Sequence, residues 1–156
     1  MHKQGKSWGL WLVPAIGGLA ILSGVYAEIM RRPSTAQAEL RISLSELRSE
    51  ITESGLLATH AKNGDPLRNF VREHAHQLEK HMRATVDDVR GRSVKAGEAK
   101  AGEMAARRGE SALASLHLLG AEPAPSATVL GDVASTMDSS SQELSRLVST
   151  LSQQPR

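Results

Sequence analysis

Hydrophobic positions near the C-terminus follow an alternating spacing of three and four: Leu130, Val133, Met137, Ser140, Leu144, Leu147 and Leu151. That is the a/d repeat of a helix that buries one stripe, with one polar member. Leu40, Leu44, Leu47, Ile51 and Ala58 fit the same template. Punctuation divides the chain further. Pro33-Ser34 opens one helix, with Ser34 or Thr35 as its N-cap. Asn63-Gly64-Asp65-Pro66 reads as stop, turn and restart. Gly120 through Ser126, with prolines at 123 and 125, is a second break, and Ser126 caps the next helix. The pattern predicts helices at about 34–62, 66–119 and 127–152, with no strand-like alternation.

The middle interval is the ambiguous one. Its first half offers Leu67, Phe70, Val71, Leu78, Met82 and Val89 as an apolar face. Its second half is rich in Ala and Gly and holds a tandem pentapeptide, Lys95-Ala-Gly-Glu-Ala99 and Lys100-Ala-Gly-Glu-Met104. Each interior Gly costs a helix about 1 kcal/mol relative to Ala. Either close packing uses these small residues, or the helix breaks near 91–97 and four helices result. Small side chains bury little area, so this stretch is expected to be weakly buried and the most mobile.

The N-terminal segment has a different character. From Ser7 to Ala27, 21 residues carry no charge. As a helix they would span about 31 Å, the thickness of a bilayer's hydrocarbon. Trp8 and Trp11 stand at one end and Tyr26 at the other, with Arg31 and Arg32 beyond, as interfacial anchors do. A single transmembrane helix at about 7–29 is predicted, within an anchor of residues 1–32. Val25-Tyr26-Ala27 also has the form of a signal cleavage site, but the apolar run exceeds a usual signal core. Lysines and arginines tie at the two ends. The short basic tail favours an inside N-terminus and a periplasmic C-terminal domain. Gly17, Ala20, Gly24 and Ala27 share one face, where small residues let two such helices pair.

Composition sharpens the class. Beyond Tyr26 the only aromatic is Phe70, too few for an ordinary α/β or β-sandwich core but no obstacle to a Leu/Ala bundle. The fold class expected is therefore all-α: a membrane helix, then a bundle or coiled coil of three or four helices over 33–156. There is no Cys, which removes disulfides and thiolate metal sites. The sequence pI near 9.2 hints at nucleic acid until the charge is divided along the chain. The basic excess over 66–110 is small and interleaved with acids, so no nucleic-acid partner is expected. Arg outnumbers Lys, a bias common in GC-rich bacterial genomes.

No catalytic constellation emerges. His74 and His76 point apart on a helix, and His74 and His81 lie about 10 Å apart along it. Only Glu73 and His76 have metal-ligand spacing, which makes a poor site alone. Asp87 and Asp88 are adjacent and cannot share a face. The Ser139–Ser141 run reads as a polar interruption of the C-terminal seam. Catalytic residues, metal and cofactor are all expected to be none.

The resulting expectation is a single-pass protein of a bacterial inner membrane, acting as a structural or interaction module without catalysis. Its partners are the bilayer and either a second copy or another helical protein. Dimerisation through Leu144–Leu151 is the simplest way to bury that seam, so Glu at 144 and 147 would yield monomers. In layout the chain is similar to the inner-membrane subunits of phage spanins and other anchored stalks of bacterial envelopes. That likeness implies an envelope stalk with an extended 66–119 helix. A bundle that senses a small ligand is the other alternative, and it implies a compact four-helix fold.

Overall fold

The computed structural model describes residues 35–64 and 68–153. These form four helices: α1 (Thr35–Asn63), α2 (Arg68–Lys95), α3 (Ala99–Gly120) and α4 (Ala127–Gln153). The described residues are all-helical, as expected. Successive helices run antiparallel. Near the start of α1, Ser43 meets Asp88 near the end of α2, and Arg41 donates to the Leu151 carbonyl near the end of α4. Further along, Arg90 of α2 pairs with Glu110 of α3, and Arg108 of α3 with Glu143 of α4. Each helix thus neighbours the next, and α4 closes back on α1. This is an up-down-up-down four-helix bundle with short connections.

Among the described residues, no helix is long and apolar enough to cross a membrane. The predicted span at 7–29, its anchors Trp8, Trp11, Tyr26, Arg31 and Arg32, and the small face Gly17, Ala20, Gly24 and Ala27 lie outside the described residues.

Of the two readings of the 66–119 interval, the broken one holds: it forms two helices. Gly97 takes φ +75°, a left-handed conformation that costs Gly nothing. Around it, the Glu98 N–H donates to the Ser93 carbonyl (2.8 Å) and the Gly97 N–H to that of Val94 (3.2 Å). These are the two closing bonds of a Schellman motif, and they end α2. Gly64, at φ +78°, terminates α1 in the same left-handed region. At the third connection the Val129 N–H reaches the Ser126 hydroxyl, the cap read from sequence. Arg68, at the start of α2, donates to the carbonyls of Leu119 and Ala121 and so ties that connection down.

The interior is aliphatic. Leu40, Leu44, Leu47 and Ile51 of α1 are buried, with Val71, Met82 and Val89 of α2, and Met137 and Leu144 of α4. Phe70, placed on the apolar face by periodicity, is instead 56% exposed and stacks on His74 outside the core. The described bundle therefore has no aromatic in its interior.

The expectation of weak burial for the Ala/Gly stretch is overturned. Gly102, Ala105, Ala106, Gly109 and Ala112 of α3 are all buried. Small residues on one face let two backbones approach, so packing comes from proximity rather than side-chain size. A Cβ on Gly102 would lie 2.1 Å from the Ser93 Cβ, and one on Gly109 2.3 Å from the Val86 Cγ2. Both clashes are with α2. The pentapeptide repeat thus does two jobs: Gly97 ends one helix, and Gly102 seats the next against it.

Candidate functional site

The close seating of α3 on α2 has a counterpart on the opposite side. The seam between α3 and α4 is the most open of the four between neighbouring helices. There a cleft of about 590 Å³ lies between Met104, Arg107 and Arg108 of α3 and Glu143, Arg146, Leu147 and Thr150 of α4. Met104 is 49% exposed, the only described methionine that is not buried. Spacings of three and four put these residues in the cleft, the same rule that puts Ala105, Ala106 and Gly109 on the other side of α3.

Charge is distributed unevenly in the cleft. Arg108 is held by Glu143 at 2.5 Å. Arg107 is paired with Glu103, one turn back on its own helix, at 3.1 Å. The Arg146 guanidinium makes no hydrogen bond or ion pair among the described residues. The floor is apolar: Met104, Leu147 and the aliphatic stems of the arginines.

Two further polar positions lie between α1 and α2. The Asp88 carboxylate is held below its usual range, first by the Arg92 guanidinium and then by the Ser43 hydroxyl, which donates at 2.6 Å. Glu50 shows the opposite displacement. Its Oε1 accepts from Thr85 at 3.1 Å, while its Oε2 is buried without a partner. Burial pushes this carboxyl up; the Thr85 bond opposes that, Glu46 and Glu53 add to it, and His81 offsets it. A carboxyl raised in the folded state binds its proton more tightly than in the unfolded chain. Stability therefore falls as pH rises from the unfolded value through the raised folded one. Glu50→Gln is expected to stabilise the bundle at pH 7, by less than about 1 kcal/mol because solvent screens part of the group. Urea titrations at pH 7 and at about pH 4 check this, since the gain disappears where Glu is protonated.

The C-terminal seam faces the inside of the bundle. Leu130, Val133, Met137 and Leu144 are buried in the bundle's own core, and Leu147 and Leu151 pack against it partly buried. Their neighbours are α1 and α3 of the same chain, so these residues are covered without a second copy. Leu147 alone also faces the cleft. The histidines do not converge. His74 bonds Glu53 at 2.9 Å, His76 stands exposed 4.0 Å from Glu79, and His81 lies near Glu50. Among the described residues no three His, Asp or Glu side chains are arranged to hold a metal.

The sequence reading missed the arginine cleft. Arg107 and Arg108 are separated from Arg146 by most of α3 and α4, and no local pattern links them. The sole signal was the small-residue face of α3, which implied a close neighbour on one side. No protein-family model, curated protein or solved structure matches this chain.

Proposed function

We propose that this chain is a single-pass, membrane-anchored four-helix bundle that works as a non-catalytic binding module of a bacterial envelope. The Ser7–Ala27 stretch is the anchor, and the bundle is the part offered to a ligand or partner. The observation that carries the reading is the asymmetry of the bundle. Its apolar stripes are closed within one chain, while the α3–α4 seam stays open under three guanidiniums. What such a module presents outward is a cleft rather than a heptad seam. The small-ligand alternative gains support from the same feature, because a cleft of this size suits a small molecule. The spanin-like stalk loses the extended 66–119 helix it needs, since the chain turns at Gly97.

The test joins extraction and topology. The full chain should stay in the membrane pellet through an alkaline wash, and a chain starting at residue 33 should not. A Ser139→Cys variant, exposed on α4 and the only thiol, should react with an impermeant maleimide on intact spheroplasts. Alkaline extraction of the full chain refutes the anchor. Labelling only after lysis moves the bundle to the cytoplasmic face.

A further inference from the structure

We infer that the α3–α4 cleft binds a small organic dianion with a flat or short apolar body, bridging Arg107 on one wall and Arg146 on the other. The inference deepens the reading of this cleft as the binding surface of the module. It rests on three observations.

The first is residual charge. Arg108 is neutralised by Glu143, but Arg146 has no partner among the described residues. Arg107 is held only by an exposed i,i+4 pair with Glu103, an interaction weak enough for a ligand carboxylate to displace. Two guanidiniums on facing walls suit two anionic groups, because each planar fork can bind a carboxylate through two parallel bonds. The second is the floor, where Met104 and Leu147 offer apolar contact between the charged rims. A bare inorganic anion would leave that surface unused.

The third is size. From Glu143 to Thr150 the α4 wall is about 10 Å long, and the open cleft has a volume of about 590 Å³. That is the scale of a small molecule. A docked helix needs a longer run of apolar anchors at i, i+3, i+4 and i+7, and two side chains do not make one.

Met104 supplies a local reporter. In the full chain, in phosphatidylcholine nanodiscs and labelled at its methionine methyl carbons, benzene-1,3-dicarboxylate is expected to shift the Met104 resonance saturably. The resonances of buried Met82 and Met137 should stay in place, and Met104→Leu assigns the signal. Arg146→Glu and Arg107→Glu should each weaken binding at least about tenfold. Lys80→Glu, on α2, should not. Benzoate, with one charge, should bind more weakly than the dicarboxylate. No saturable shift, a shift that survives Arg146→Glu, or equal binding of benzoate overturns the inference. Membrane anchoring is read separately by alkaline extraction, so the dianion can fail while the anchored module stands.

Discussion

Leu144→Glu abolishes the cooperative unfolding transition of the bundle, while Leu147→Glu leaves it in place. Leu144 is fully buried on α4 and belongs to the one continuous core. Removing a buried Leu side chain costs about 2–5 kcal/mol before any charge is considered. An unpaired carboxylate in the same place adds several more, and the whole stability of such a domain is about 5–15 kcal/mol. Leu147 is only partly buried and opens on the cleft, so its Glu can turn into the cleft and solvent. Thermal melts followed by far-ultraviolet circular dichroism distinguish the two variants. A folded, helical Leu144→Glu chain would return the seam to the surface and revive the idea that it joins two chains.

The second large effect concerns glycines. Gly102→Ala is expected to destabilise the bundle by about 1–3 kcal/mol, although Ala is the better helix former by about 1 kcal/mol. The new methyl would sit 2.1 Å from the Ser93 Cβ, an atom fixed to the α2 backbone that cannot swing aside. Gly91→Ala supplies the opposite case. Nothing lies within 4 Å of its Cβ position on α2, so there propensity alone acts and stability should rise by about 0.5–1 kcal/mol. Adding Ser93→Gly to Gly102→Ala removes the clashing atoms, and a double-mutant cycle should recover most of the loss. Equal and favourable effects at 91 and 102 would refute the close seating of α3 on α2.

These two cases show where the sequence could be read and where it could not. The stripe from Leu130 to Leu151 marks a buried face, because helical periodicity depends on the chain's own geometry. Nothing in that stripe says whether the covering surface belongs to the same chain. The breaks at Gly64 and Gly120–Ser126 were legible because Gly, Pro and Ser act on the backbone locally. The break at Gly97 could be raised as an alternative but not settled, since Gly91, Gly97 and Gly102 look alike in one dimension. They are separated only by what faces them: solvent, a left-handed turn and a neighbouring helix. Phe70 misled for a related reason. It falls within a turn of Val71, and a hydrophobic residue at the edge of a stripe is turned in or out by its neighbours. The cleft was beyond reach, since it is a difference between two interhelical spacings.

The arrangement of the bundle's ends also bears on what it can withstand. The start of α1 and the end of α4 lie side by side, where Arg41 holds the Leu151 carbonyl. Tension drawn between those two ends would not load all the contacts together. It would peel α1 from α4 one helical turn at a time, with only the contacts at the opening fork resisting at any moment. A strut that transmits force across an envelope needs its attachment points at opposite ends, so that the contacts of neighbouring helices are sheared in parallel. This bundle is mechanically a zipper held at its open end, suited to holding a shape and unsuited to carrying a pull.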